Sequence, residues 1–226
     1  MEVNYLGHSC FSIHIGGKTL LFDPFITPNP LAKAIDIKSL KADFILISHA
    51  HFDHIADALE LAQTTQAKII AIWEICDWLQ KQGYSNTHAM NIGGSFSFDF
   101  GKVQMVKAEH SSAFPDGSYG GQAAGFVITS PEKTIYFAGD TALCSDMQII
   151  GMKHKIDLAF LPLGSNFTMD VEDAVIASKW IKCQSVIGMH FDTFGYIVID
   201  HEQAQAQFKA ADIQLTLMNI GQSIQI

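Results

Sequence analysis

The stretch SHAHFDH at 48–54 places three histidines and one aspartate within seven residues, directly after the apolar run FILI at 44–47. Along an extended segment alternate side chains point the same way, so His49, His51 and Asp53 are expected to converge on one side. His54 breaks that alternation and joins them only where the chain turns; a helix starting near Ile55 supplies the turn. On that geometry His49 and His51 hold one metal ion while Asp53 and His54 face a second. Imidazole and carboxylate form a borderline-to-hard ligand set that suits zinc, iron or manganese. Each ion needs further ligands, and three later apolar runs end in one: VQMVKAEH in His110, TIYFAGD in Asp140 and SVIGMH in His190. Strand ends are where αβ proteins usually build their sites. A single histidine in such a place is ordinarily a satisfied surface or core residue, and an Asp in a Gly-Asp-Thr turn is ordinarily a cap. A polar loop, however, needs one Asp or Asn and not three imidazoles at this spacing, so the cluster reads as a metal site.

These side chains need strands to hold them. VNYLG (3–7), FSIHI (11–15) and TLLFD (19–23) read as short strands, with a tight hairpin at Gly16-Gly17. FILI is apolar on both faces, as in a strand covered on both sides, and KIIAI (68–72) is a second buried strand. Helices are expected over 55–63, 73–83, 171–181 and 201–211. Further strands are expected over 95–100, 103–110, 124–130, 134–140, 158–164 and 185–190, and near 213–218 and 222–226. Both halves of the chain thus run from strands to strand–helix units. A sheet from each half, packed face to face with helices outside, would bury every apolar run.

The 226 residues suit a single domain, 1–226, with a substantial core. At 48 % hydrophobic and 16 % charged the composition is globular. The net charge is −9, and the 14 basic residues form no stripe. That weighs against a nucleic-acid partner. No apolar run approaches the roughly 20 residues of a membrane span. The N-terminus MEVNYLGHSC lacks a basic stretch followed by an apolar one. Cys10, Cys76, Cys144 and Cys183 are far apart and read as reduced core thiols, so the cytoplasm is the expected location.

HAHFDH resembles the H-x-H-x-D-H signature of the metallo-β-lactamase superfamily, and His110, Asp140 and His190 follow in that superfamily's ligand order. GHSCF (7–11), DPF (23–25), AEHSS (108–112), GDT (139–141) and MHFDTF (189–194) resemble its branch of metal-dependent hydrolases related to ascorbate-6-phosphate lactonase. The resemblance implies a four-layer αβ/βα sandwich with the site along one edge. It implies one ion on His49, His51 and His110, a second on Asp53, His54 and His190, and Asp140 bridging them. Secreted β-lactamases commonly carry cysteine where Asp140 stands, which argues against antibiotic hydrolysis. Diiron oxygen-reducing relatives tend to place Glu at the position of His51, so a hydrolase is favoured.

The implied chemistry is attack by a hydroxide held between two divalent ions, zinc or else manganese or iron, about 3.5–4 Å apart. The substrate would be a small ester, lactone or phosphoester, with Asp53 orienting the nucleophile and carrying a proton to the leaving group. No G-x-S-x-G elbow offers an alternative nucleophile. His8, in the turn between the first two strands, is either a turn histidine bonded to backbone or a group touching the ligands or substrate; the resemblance favours the second. The 24–40 and 111–123 loops are expected to shape the pocket. Phe191 and Phe194 flank His190 and could line it too, Phe194 alone reading as core packing. His14 reads as ordinary, and His88, His154 and His201 as surface residues. The competing readings are a phosphodiesterase or nuclease of the same superfamily and a non-catalytic metal-stabilised binding protein. A homo-oligomer is compatible with the sequence.

Overall fold

The computed structural model describes residues 1–226. The first sheet is built from β1 (Glu2–Gly7), β2 (Cys10–Ile15), β3 (Lys18–Phe22), β4 (Phe44–Leu46), β5 (Lys68–Ile72) and β6 (Thr87–Met90). The second contains β7 (Ser95–Phe98), β8 (Gly101–Lys107), β9 (Ala124–Thr129), β10 (Thr134–Phe137), β11 (Leu158–Pro162), β12 (Ser185–Met189) and β13 (Gln214–Thr216). The last strand, β14 (Ser223–Gln225), returns to the first sheet and pairs antiparallel with β1. Each sheet therefore has seven strands, in the orders β14-β1-β2-β3-β4-β5-β6 and β13-β12-β11-β10-β9-β8-β7. Both are mixed. β1 to β3 and β7 to β10 pair antiparallel, while β3 to β6 and β10 to β13 pair parallel.

The pattern of burial explains which strands pair which way. β4 and β11 are buried at every residue, as parallel strands covered on both faces must be. β2 keeps an alternating edge, with His14 exposed between two buried isoleucines. The β2–β3 hairpin turns through Gly16 (φ 59°) and Gly17 (φ 74°), the two left-handed positions of a two-residue turn. A Cβ on Gly16 would lie 2.3 Å from the Phe100 carbonyl oxygen, so the second sheet also excludes a side chain there. The two sheets meet through aromatic pairs: Phe11 on Phe160 at 4.9 Å and Phe22 on Phe137 at 4.6 Å between centroids. They share one cluster of 63 buried residues. With the helices outside, this is the expected αβ/βα sandwich.

The helices are α1 (Phe52–Ile55), α2 (Ala58–Thr65), α3 (Trp73–Lys81), α4 (Asp146–Lys153), α5 (Val171–Trp180) and α6 (His201–Ala210). Asp170 and Asp200 cap α5 and α6, accepting from the amides of Asp173 and Gln203. Several details differ from expectation. The helix expected over 55–63 is two, because Asp57 interrupts it. That buried carboxylate accepts from the Ile26 and Thr27 amides at 2.6 and 3.0 Å and so pins the 24–40 loop. β6 and α4 were not foreseen, since neither THAM nor DMQIIGMK shows clean periodicity. His88, expected at the surface, lies in β6 with its ring on Phe96 and Phe98. His154, also expected there, is half-buried with Nε2 2.9 Å from Gln104 Oε1.

No helix is long and apolar enough to cross a membrane. Cys10, Cys76 and Cys183 are buried and all four cysteines are free.

Candidate metal centre

The site lies where strands of both sheets end together. β4 leads into Ser48–His51. There the chain turns earlier than the alternation predicts: His51 is extended, and α1 begins at Phe52. Asp53 therefore does not continue the His49–His51 side. It sits with His54 in the first turn of α1, which separates the motif into two pairs. In the second sheet β8, β10 and β12 stop at Lys107, Phe137 and Met189, and the ligand candidates lie just beyond, in the loops.

All seven candidates meet. His49, His51 and His110 bring one ring nitrogen each to within 4.8 Å of one another, and His49 Nε2 lies 2.9 Å from His51 Nδ1. Asp53, His54, His190 and His8 form a second such group. Asp53 Oδ2 is 3.8 Å from both His54 Nε2 and His190 Nε2. Asp140 Oδ2 stands between the groups: 3.7 Å from His110 Nε2, 3.3 Å from His54 Nε2 and 2.9 Å from His190 Nε2.

Two of the atoms facing inward lack the partners that buried polar groups normally have. His54 Nε2 and Asp140 Oδ1 are buried with no hydrogen bond. Two outward nitrogens, in contrast, are held, whereas that of His190, Nδ1, is buried without a partner. His54 Nδ1 is 2.8 Å from Asp23 Oδ2, and His49 Nδ1 is 3.0 Å from Ser48 Oγ. Asp23 also accepts from the Ser48 hydroxyl at 2.6 Å and the Ser48 amide at 2.7 Å. With its proton given to Asp23, Ser48 Oγ must accept from His49 Nδ1–H. One buried carboxylate thus selects, for a histidine of each group, the neutral tautomer whose Nε2 is free of a proton, the form metal-binding histidines require. Clustered nitrogens and carboxylates with unpaired inner atoms and fixed outer ones fit divalent ions. Sequence reasoning assigned Asp23 no role; the available signal was that it ends the apolar run TLLF as the ligand candidates end theirs.

Burial shapes the charges of the cluster. It pushes the pKa of His49 well below the ordinary value, and those of His51, His110 and His8 below theirs, His8 to about 4. Burial opposes charge on His54 and His190 too, but Asp140 and Asp53 outweigh it. His54 is held well above the ordinary range and His190 is pushed up to about 9. Burial would raise Asp53 and Asp140, yet the neighbouring imidazoles keep both low.

The 24–40 and 111–123 loops both border the site. Phe25 and Phe194 pack edge-on to His8 at 5.6 and 5.4 Å, and Phe52 packs on Phe25 at 5.8 Å. Phe194 is thus at the site, whereas Phe191 is buried against His201. In the 111–123 loop, Ser112 Oγ accepts from the Ala50 amide at 3.2 Å. A Cβ on Gly120 would fall 2.3 Å from that of Ala50, so this glycine permits close approach to the segment between His49 and His51. A cleft of about 400 Å³ lined by His110, Ser111, Lys107 and Tyr119 opens beside the first group. A larger cavity, about 750 Å³ between Lys155 and Gln214, touches none of these residues and lies away from the chemistry.

Residues 18–191 match the sequence profile of the beta-lactamase superfamily domain. The chain is 53 % identical over 226 residues, the full length of both, to a "UPF0173 metal-dependent hydrolase" of Flavobacterium johnsoniae. It is 51 % identical over 224 residues, 99 % of each chain, to one of Methylacidiphilum infernorum. Among solved structures it is similar to Igni18, described as a novel metallo hydrolase from the archaeon Ignicoccus hospitalis. The TM-score is 0.89 at 35 % identity, covering 99 % of this chain and 97 % of that one.

Proposed function

Because the chain belongs to the metallo-β-lactamase superfamily and is a metal-dependent hydrolase, we propose that it uses two divalent ions to cleave a small ester or lactone. His49, His51 and His110 would hold one ion, Asp53, His54 and His190 the other, and Asp140 would serve both. The position of Asp140 Oδ2, 2.9–3.7 Å from imidazoles of the two groups, carries this reading. When bound, such ions acidify a water toward pKa 7 and polarise the substrate carbonyl, roles that zinc, manganese or iron can fill.

The chain's own residues supply the rest. Of the three acids, Asp23 and Asp140 are 0 % and 3 % exposed and Asp53 24 %. Only Asp53 is open enough to take a proton from the attacking water and hand it to the leaving oxygen. Phe25 and Phe194 pack on each other and on His8, whose Nε2 is 3.0 Å from Asp53 Oδ2. Asp140 is enclosed and acts as a fixed negative charge.

The phosphodiesterase reading is weaker. Bidentate guanidinium is the usual clamp for phosphate, and the chain contains no arginine. The charged groups that perturb the site's pKa values most are the site's own. The test is metal quantitation on protein purified without added metal, with a screen of lactones, carboxyl esters and bis-p-nitrophenyl phosphate. Two metals per chain and turnover of lactones or esters are expected. Turnover of the phosphodiester alone would favour the runner-up, and no turnover with both metals bound would favour a binding protein.

A further inference from the structure

Resting on the ester or lactone reading, we infer that the substrate carries a protonated amine, received beside the metal centre by Glu74 and the rings of Trp73, Trp78 and Tyr119. The cleft of about 400 Å³ that contains His110 shares Tyr119 with a second cleft of about 410 Å³. The two are therefore neighbours across that ring, and one molecule can occupy both. Trp73, Glu74, Trp78 and Phe114 line the second cleft. Trp78 is stacked on Phe114 with centroids 4.7 Å apart and planes 16° apart, which makes a rigid wall. Trp73 and Tyr119, in contrast, are 63 % and 66 % exposed. One comes from the start of α3 and the other from the 111–123 loop, so two elements each present an uncovered ring at one cavity.

Glu74 supplies the charge. It lies in the first turn of α3, where the helix dipole alone favours a carboxylate. That role needs no enclosure, yet Glu74 Oε2 is buried without a hydrogen bond. The enclosure comes from Gly121 in the facing loop, at φ 82°. A Cβ there would lie 2.8 Å from Glu74 Oε2 and 2.7 Å from Ile72 Cγ2, so only glycine lets the loop sit on the carboxylate. A buried acceptor without a donor is costly, and an ammonium seated against it would offset that cost. The lysines bordering the two clefts are already matched, Lys81 with Asp77 and Lys107 with Glu109, each pair at 2.6 Å. Glu74 is the carboxylate left over. A cation over the indole and phenol faces gains further from the ring quadrupoles, and the net charge of −9 draws cations toward the chain. A phosphate or carboxylate arm would meet Glu74 with like charge, and a purely apolar arm would leave its oxygen without a donor.

The test titrates benzylammonium, with benzyl alcohol as its uncharged counterpart, into the full chain and follows the indole N–H resonances of Trp73, Trp78 and Trp180 by NMR. Trp73→Phe and Trp78→Phe assign them, and Trp180, at the end of α5, reports the fold. The Trp73 and Trp78 resonances should move, and benzylammonium should bind roughly 10-fold or more tightly than the alcohol. Glu74→Gln should remove that difference with the Trp180 resonance in place. Equal affinity for the two probes in wild type, or a Trp73 resonance that stays still, would overturn the site. The second arm compares kcat/KM for p-nitrophenyl ε-aminocaproate and p-nitrophenyl heptanoate, which puts a methyl group where the first has its ammonium. The amino ester should be favoured, and Glu74→Gln should lower the ratio roughly 10-fold. A ratio that Glu74→Gln leaves unchanged, with benzylammonium bound in the cleft, would overturn the link to the substrate. If no ester or lactone is turned over with metals bound, the ester or lactone reading fails by itself, since the indole titration decides the cleft without turnover.

Discussion

Replacing Asp23 by Asn changes no ligand, yet it should weaken metal binding by a calculable amount. Asp23 is fully buried with φ 41°, a conformation Asn tolerates, so the fold should persist. Its Oδ2 accepts from His54 Nδ1 and from Ser48 Oγ, and its Oδ1 from the Ser48 amide. An asparagine can place its oxygen at only one of these positions. If it accepts from the Ser48 amide, its NH₂ donates to Ser48 Oγ and His54 Nδ1. Ser48 Oγ–H then turns to His49 Nδ1, and both histidines carry their proton on Nε2, where the ions should bind. The reverse orientation restores both tautomers but sets NH₂ against the Ser48 amide. An unsatisfied buried donor costs about 1–3 kcal/mol. Metal must drive that switch, so the first ion should bind roughly 5- to 150-fold more weakly. The cost falls once, so the second ion should bind as in wild type, which makes loading cooperative. Competition against a chromophoric chelator reads both steps, and Ser48→Ala, which removes the hydroxyl that joins Asp23 to His49 but keeps the Asp23–His54 bond, serves as control. A first ion bound within twofold of wild type would refute the tautomer argument.

Asp53→Ala should lower kcat by roughly 10²- to 10⁴-fold, measured on protein of known metal content; near-normal turnover with both metals bound would rule out its role as proton carrier. Gly139→Ala should lower stability in urea by about 1–3 kcal/mol and displace Asp140, because at φ 64° its Cβ would lie 2.8 Å from both the Ala124 carbonyl oxygen and Ser48 Cβ. Burial raises the thiol pKa of Cys10 well above its ordinary value and that of Cys76 to about 11. The unfolded chain therefore loses those protons first, and stability should fall above about pH 9, by at most about 1.4 kcal/mol per pH unit per thiol. Urea unfolding between pH 7 and 10 checks this, and a flat profile contradicts it.

The candidate site was legible because its donors are polar interruptions of apolar runs. His49, His110, Asp140 and His190 each follow a stretch that could only be buried. The exact turn was not legible. The turn was expected near Ile55, whereas α1 starts at Phe52, so Asp53 leaves the His49–His51 side; its grouping with His54 is the one expected from the sequence. The outer partners Ser48, of His49, and Thr193, of His8, were silent for a related reason. Their side chains are common turn formers, and only the folded chain shows which nitrogen each one faces. The sheets were legible from buried runs, but the return of β14 to the first sheet was not, since SIQ carries too little apolar pattern to choose an edge.

The donors come from both sheets. His49, His51, Asp53 and His54 follow β4, and His110, Asp140 and His190 follow β8, β10 and β12. Ions bound between them would tie the halves together, so it matters whether they also build the fold. Binding at 100 times Kd stabilises a native state by about 2.7 kcal/mol per ion. Burial in a domain core contributes on the order of 10² kcal/mol before entropy is subtracted. The 63-residue cluster and the contacts of Phe11 with Phe160 and Phe22 with Phe137 lie beneath the site and need no ion. Two backbone bonds, His190 amide to His8 carbonyl and Ala124 amide to Ser48 carbonyl, already span the sheets at this edge. The spacing of the donors is therefore set by the core. Ions bound there would change the state of the donors, competing with protons on His54 and His190 and satisfying His54 Nε2 and Asp140 Oδ1, which the fold leaves buried without a partner. A centre whose donors the core holds in place would need no rearrangement to bind its ions.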